Sequence, residues 1–107
     1  MLERIFNILN SIEGFEGKVA YRFFPEGEAP NPPFICYLEV QTDNFTADNK
    51  VYRKCQEMDI EFYSDYKDVH SEELIEQALF DNEIIWEKYE EYIKDEKMFE
   101  IVYTIQL

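Results

Sequence analysis

The chain has 107 residues, of which 46% are hydrophobic and 17% aromatic, and a formal net charge of −14. This length suits one domain with a modest core, and the apolar content argues against a disordered chain. The 10 basic and 24 acidic side chains argue against a basic stripe that would neutralise nucleic-acid phosphates. We therefore expect a single domain over residues 1–107 that neither reads nucleic acid nor binds an anionic membrane surface.

The first residues lack the apolar segment of a signal peptide, because Glu3 and Arg4 interrupt it at once. No run approaches the roughly 20 apolar residues of a membrane span. The expectation is a protein kept in the cytoplasm or carried in a particle assembled there, without membrane contact.

The chain begins with a helical pattern followed by a short strand pattern. A helix is predicted over residues 1–13 because apolar side chains recur at helical spacing, at Leu2, Ile5, Phe6, Leu9 and Ile12. Gly14 and Gly17 mark its end. Alternation over residues 18–24 predicts a strand, with Val19, Tyr21 and Phe23 on one face.

A proline-rich segment, PEGEAPNPP at Pro25–Pro33, contains all four prolines of the chain. Proline fixes φ and removes a backbone donor, so this segment is a predicted loop. It is long for a connection in a compact domain. Two interpretations stay open: a contact loop, or an ordered surface connector.

The stretch from Phe34 to Asp65 predicts a long β-hairpin, the spine of the domain. Its polar turn is placed at residues 42–49, where Asp and Asn favour turns through local hydrogen bonds. Alternation puts Phe34, Cys36, Leu38 and Val40 on one face of the first arm, and Met58, Ile60 and Phe62 on one face of the second. The second arm changes phase, so either residues 50–56 cross solvent or a bulge lies near Gln56 and Glu57.

The hairpin carries the only basic cluster of the chain, Lys50, Arg53 and Lys54. This cluster is either a solvated strand face or a patch for an acidic neighbour, including another copy of this protein. The two cysteines, Cys36 and Cys55, would lie opposite each other if the turn were centred near residues 45 and 46. Free, packed thiols are the favoured interpretation in a reducing compartment.

A second helix is predicted over residues 71–82, with Ser71 as its N-cap. Residues 83–96 fit either a helix or a strand, and their aromatic and β-branched content favours a strand. Strict alternation from Phe99 to Leu107 predicts a final strand with one buried face. The element order is then α-β-β-β-α-β-β, and the expected fold is α+β: a mainly antiparallel sheet with two helices packed on one face.

Residue patterns typical of catalysis, cofactors or metals are missing. The one histidine, His70, has no Cys or His partner at metal-ligand spacing. The three glycines form no phosphate-binding loop, and no Ser or Cys lies in a nucleophile motif. With 24 acidic residues, carboxylate pairs are expected by chance. We predict no catalytic, cofactor or metal site and no enzymatic activity.

The runs PPFICYL, NFTADNKVY and DIEFYSDYKD precede an acidic helix and an alternating C-terminal strand. With the opening helix and the stretch AYRFFPEGEAPNPPF, they resemble small tail-terminator or tail-completion proteins of long-tailed bacteriophages and prophages. The likeness covers nearly the whole chain and is one of layout and short phrases.

The resemblance implies a structural virion protein at the tail–head junction, assembled in the bacterial cytoplasm. Such proteins form homohexameric rings that cap the tail tube and join it to the head connector or stopper, while DNA passes through without being read. Carboxylates lining such a duct would repel the phosphate backbone. The expected interface residues lie in the proline loop and the hairpin: Glu26, Asn31, Pro33, Asn44, Phe45, Lys50, Arg53 and Lys54.

The charge of −14 motivates an alternative function, an acidic DNA mimic that inhibits a host nucleic-acid enzyme. This function requires carboxylates arrayed at phosphate-like spacing on one continuous face.

Overall fold

The computed structural model describes residues 2–47 and 50–106, and describes side chains outside residues 41–56. The elements are α1 (Leu2–Asn10), β1 (Val19–Tyr21), β2 (Phe34–Ala47), β3 (Lys50–Ser64), α2 (Val69–Asp81), β4 (Trp86–Ile93) and β5 (Met98–Gln106). They form one five-stranded sheet in the order β1-β2-β3-β5-β4, in which only the β1–β2 pair is parallel. The predicted α+β class and element order are confirmed, as is a strand within residues 83–96.

Both helices pack on the same face of this sheet. Ile5 and Leu9 of α1 and Ile75 and Leu79 of α2 are fully buried. They share one apolar cluster with alternate strand residues, namely Ile35, Tyr37, Met58, Ile60, Phe62, Ile101, Tyr103 and Ile105. The apolar residues that recur with a period of two in the strands and of 3.6 in the helices therefore pack into a single core between the sheet and the helices.

The first helix is shorter than its apolar pattern predicts, ending at Asn10 rather than residue 13. Successive turns follow, and the side chain of Asn10 accepts a hydrogen bond from the Gly17 amide at 2.9 Å. Gly14, within these turns, has φ of 90°, a left-handed conformation that glycine adopts readily. Ile12 remains buried beyond the end of the helix, whereas Leu2 is exposed, so the apolar pattern identified most of the buried positions but not the length of the helix.

The first strand is also shorter than predicted, and it stops where Arg22 takes a φ of 68°. A left-handed φ is uncommon for a residue with a Cβ. The Arg22 amide donates to the Tyr37 carbonyl at 2.8 Å, and the Phe23 amide donates to the Tyr21 carbonyl at 2.8 Å. The turn breaks the alternation predicted through residue 24.

The second helix begins two residues earlier than predicted, and Ser71 is not its N-cap. Asp68 caps the helix, since its carboxylate accepts from the Ser71 amide at 3.1 Å and from the Ser71 hydroxyl at 2.7 Å. Both residues are buried. Asp and Ser are both favourable N-cap residues, so the sequence alone does not decide which of the two caps the helix.

The predicted turn at residues 42–49 is wrong over most of its length. β2 continues to Ala47 and pairs with β3 up to Ala47 opposite Lys50; residues 48 and 49 lie outside the described residues. A bulge does occur where the phase changes, between Glu39 and Gln41 opposite Met58 and Glu57. The extra residue is Val40 in the first arm, not one in the second, and a second shift lies between Phe45 and Thr46.

The two cysteines do not lie opposite each other, because the hairpin turns later than residue 46. Cys36 pairs with Glu61, whereas Cys55 pairs with Asp43. Seven residues along β2 separate these pairs, about 23 Å at the usual strand rise. That separation is far beyond the limit of about 7 Å between Cα atoms for a disulfide, so the two cannot form one within a subunit.

The far end of the hairpin extends beyond the body of the sheet. In the described part of the chain, residues 42–47 and 50–56 pair only with each other, since the β3–β5 pairing ends at Glu57 opposite Gln106. We call these residues the projecting ribbon. The molecule measures 49 × 29 × 23 Å, and its radius of gyration is 15.0 Å. A compact chain of this length would have a radius of gyration of about 13 Å.

Replacing Leu79 with Ala should lower the free energy of unfolding by about 2–5 kcal/mol, because the side chain is fully buried between α2 and the sheet. Urea denaturation followed by circular dichroism measures this. The matched control is Phe80→Ala, next in the helix but 75% exposed, which should change stability by no more than about 0.5 kcal/mol. Equal losses in the two variants would contradict the packing described here.

Candidate interaction surface

The sheet face opposite the helices, which we call the open face, is covered by no helix or strand of the described chain. Strand alternation and register place one set of side chains here: Phe34, Cys36, Leu38, Asp59, Glu61, Tyr63, Glu87, Tyr89, Glu91, Glu100, Val102 and Thr104. A hydrogen bond of 3.0 Å from the Thr104 hydroxyl to the Asp59 carboxylate shows that neighbouring strands share this face. Aromatic and carboxylate side chains dominate it.

A pair of carboxyl groups lies at the centre of the open face. Glu61 of β3 hydrogen-bonds to Glu100 of β5, which is only 9% exposed, and the Tyr63 hydroxyl donates to Glu61 at 3.4 Å. Burial, together with the nearby charge of Glu100, raises the pKa of Glu61 to about 7. A protonated Glu61 can donate to Glu100, so the pair is stable with a single negative charge.

Cys36 lies beside this carboxyl pair and is a free thiol, only 3% exposed. Burial raises the pKa of Cys36 to about 11, and the charges of Glu61 and Glu100 contribute to the increase. A thiol in this setting stays protonated at neutral pH and is a poor nucleophile.

Five carboxylates share the open face, and none of them forms an ion pair with another described side chain. We call Asp59, Glu61, Glu87, Glu91 and Glu100 the acidic band. Glu91 lies directly opposite Glu100 across the β4–β5 pair, an arrangement of like charges that destabilises a sheet.

The ion pairs of the described side chains lie on the helix side of the sheet instead. Lys67 contacts Glu72 at 2.7 Å and Glu90 at 2.6 Å, and Lys88 contacts Glu72 at 3.1 Å and Glu76 at 2.6 Å. None of these pairs includes a member of the acidic band.

A shallow apolar groove of about 370 Å³ borders the acidic band. The turn at Arg22 brings Phe23 and Phe24 against it, and Phe34 stacks on Tyr63 at 5.2 Å between ring centroids. Phe23 is 69% exposed. The remaining lining comes from Arg22, Ala29, Cys36, Ile93, Glu96 and Met98. The groove offers aromatic contact area next to a charged surface.

The residues predicted as interface lie at two ends of the molecule. Glu26 and Asn31 are exposed and Pro33 is half-buried, in a loop that leads into β2. Asn44 and Phe45 lie within β2, not at a turn. Eleven residues of strand separate Pro33 from Asn44, about 36 Å.

The predicted hairpin residues are brought together by strand pairing. Asn44 pairs with Lys54, Phe45 pairs with Arg53, and Lys50 pairs with Ala47, all in the projecting ribbon. The acidic band was missed by sequence reasoning, because its members come from three strands and only their register reveals a common face.

Two classes of site find no support in the described part of the chain. No group of three or more His, Cys, Asp or Glu side chains is placed to hold a metal ion there. His70 lies exposed in the first turn of α2. Among the described residues, no helix combines the length and the apolar character needed to cross a membrane.

Comparison of the chain with models of known protein families and with curated proteins finds no match.

Raising the pH from 5 to 8 should destabilise the protein through Glu61. Its pKa rises on folding from 4.5 to about 7, so the stabilisation is complete below about pH 4.5 and is lost as the pH rises through 7. We expect a loss of about 1–2 kcal/mol, allowing for solvent screening of this partly exposed group.

Urea denaturation at the two pH values measures the loss. Glu61→Gln, which cannot ionise, should remove most of it, whereas the exposed control Glu87→Gln should keep it. A pH dependence that is the same in both variants would contradict the assignment.

Cys36 should react with a disulfide reagent about 100-fold or more slowly in the folded protein than in urea, since its thiol is buried and its pKa is raised to about 11. The measurement uses Cys55→Ser, so that one thiol is followed. Equal rates in the folded and unfolded protein would show that Cys36 is accessible.

Proposed function

We propose that this protein is a structural virion component that forms a homo-oligomeric ring, a hexamer, at the end of a phage tail tube. The ring caps the tube and joins it to the head connector, and phage DNA passes through the centre without sequence readout. The protein acts through interfaces and has no enzymatic activity. The starting point is the resemblance of its sequence to tail-terminator proteins.

The observation that carries the proposal is the projecting ribbon. An isolated two-stranded hairpin is at best marginally stable in water. Within the described chain, the ribbon has no third strand on either side over about 20 Å. A second surface that packs on the ribbon would stabilise it, and in a ring that surface belongs to the neighbouring subunit. A contact between unlike surfaces of identical copies generates a ring when the rotation closes.

The separation of the predicted interface residues fits a subunit with several neighbours. Pro33, at the end of the proline loop, and Asn44, in the projecting ribbon, lie about 36 Å apart along β2. A ring subunit at a tube end contacts the next subunit, the tail-tube protein below and the connector above. We assign the ribbon to the neighbouring subunit and the proline loop to one of the two axial partners.

The charge of the chain supports passage of DNA without binding. The net charge of −14 gives a surface that repels phosphates wherever it borders a channel. The localisation that follows from this function is the tail–head junction of the virion, after assembly in the bacterial cytoplasm.

The acidic band favours a second candidate function, that of a DNA mimic. Alternate strand residues lie about 6.6 Å apart, close to the spacing of successive phosphates, and Asp59 and Glu61 have this relation. Exposed carboxylates also occur outside the band, on or next to the two helices, at Glu3, Glu13, Glu73 and Asp81. Their scatter counts against a DNA mimic, which requires carboxylates on one continuous face. A DNA mimic would compete with duplex DNA for a bacterial restriction enzyme or topoisomerase, which a gel-shift titration would detect.

The ring is tested by native mass spectrometry and by electron microscopy of tail tubes assembled with this protein. We expect hexamers, either in solution or at tube ends, and tubes that stop growing once capped. A protein that stays monomeric at high concentration and ignores added tail-tube protein would overturn the proposal.

Reversing the ribbon charges with Arg53→Glu and Lys54→Glu should weaken ring assembly about tenfold or more while leaving the circular dichroism spectrum unchanged, because these residues form the basic cluster of a very acidic chain. The matched control reverses two exposed lysines of the β4–β5 turn, Lys94→Glu and Lys97→Glu. Unchanged assembly in the ribbon variant would move the subunit contact elsewhere.

A further inference from the structure

Charge is distributed unevenly between the projecting ribbon and the rest of the chain. The fifteen residues 42–56 contain three basic and two acidic side chains, a net charge of +1, which leaves −15 for the remaining residues of the total −14. A second copy of this chain therefore offers the ribbon an oppositely charged surface. Charge complementarity of this kind steers association and determines register.

Outside the projecting ribbon, the acidic band is the surface that a basic partner would stabilise most. Its members have no ion pair among the described side chains, and Glu91 and Glu100 lie directly opposite each other. Like charges so arranged destabilise the sheet. A basic partner that covers the open face would relieve this repulsion, whereas the helix side already has Lys67 and Lys88.

The dimensions of the two surfaces agree. The ribbon is six residues long in its first arm, about 20 Å, and the five-stranded open face is about 19 Å wide between its outer strands. Exposed Tyr89 lies within the band, and the aromatic groove of Phe23 and Tyr63 lies beside it. Aromatic side chains of this kind supply contact area in protein interfaces.

We infer that the open face of one subunit receives the projecting ribbon of the next, with the acidic band facing Lys50 and Arg53 of the neighbouring copy, which pair with Ala47 and Phe45 and so belong to one face of the ribbon. This inference rests on the ring of the proposed function and identifies the surface that the ribbon binds. The contact joins two different surfaces of identical chains, so each subunit donates a ribbon and accepts one.

The test uses charge reversal on both sides of the contact. The ribbon variant for this contact is Lys50→Glu with Arg53→Glu, and the face variant is Glu87→Lys with Glu91→Lys, two exposed members of the acidic band. The control, Glu3→Lys with Glu73→Lys, makes the same charge change at exposed positions on the helix side. Circular dichroism and thermal melting verify that each variant folds.

Each charge-reversed variant alone should associate about tenfold or more weakly than the unmodified protein, measured by sedimentation velocity and on tail tubes. An equimolar mixture of the ribbon and face variants should recover assembly, because each ribbon then meets a face of opposite charge. Native mass spectrometry of the mixture should show equal numbers of the two chains. The control should assemble as the unmodified protein does.

Three results would overturn this contact: a mixture that fails to assemble, a control that loses as much assembly as the face variant, or an unmodified protein that stays monomeric under all conditions. The two proposals fail separately. Rings that cap tail tubes despite the face variant would overturn the contact and leave the proposed function. Recovery in the mixture, with rings that ignore tail tubes, would overturn the function and leave the contact.

Discussion

One-sided coverage of the sheet is the constraint on which the rest of this structure depends. Both helices bury their apolar residues on the same face, together with alternate residues of β3 from Met58 to Phe62 and of β5 from Ile101 to Ile105. The described residues form no further helix or strand that covers the other face. The intervening residues must therefore be compatible with water or with a partner, and this face carries tyrosines, carboxylates and a deeply placed thiol in place of an apolar layer.

Buried carboxylates are stabilised by different interactions on the two faces of the sheet. On the helix side, Glu72 is 4% exposed in its side chain and is held by Lys67 and Lys88, which connect α2 to the edge strand β4. The Tyr103 hydroxyl donates to Glu76 at 2.9 Å in the same network. On the open face, Glu61 and Glu100 are joined by a hydrogen bond, and the Tyr63 hydroxyl donates to Glu61. Proton uptake replaces ion pairing there, which links the stability of this face to pH.

The element types followed from local patterns. Alternation identified the β5 strand and the second arm of the hairpin, and β-branched and aromatic content identified β4, because these signals come from neighbours along one strand. The first and last residues of the elements were less predictable than the element types. Asp68 rather than Ser71 caps α2, and β2 runs on through Asp43 and Asn44, whose turn-forming tendency is overridden by pairing with β3.

Local sequence patterns were enough to predict the α+β class, the order of the elements and the basic cluster of the hairpin, but they placed the bulge in the wrong arm. Which residues share a surface depends on how the strands pair. Cys36, Glu61 and Glu100 are far apart in the chain and meet because β2, β3 and β5 pair in one register. A shift of one residue would move every side chain of a strand to the other face. The register of the strands depends on packing against both helices, so the acidic band cannot be identified from a local sequence pattern.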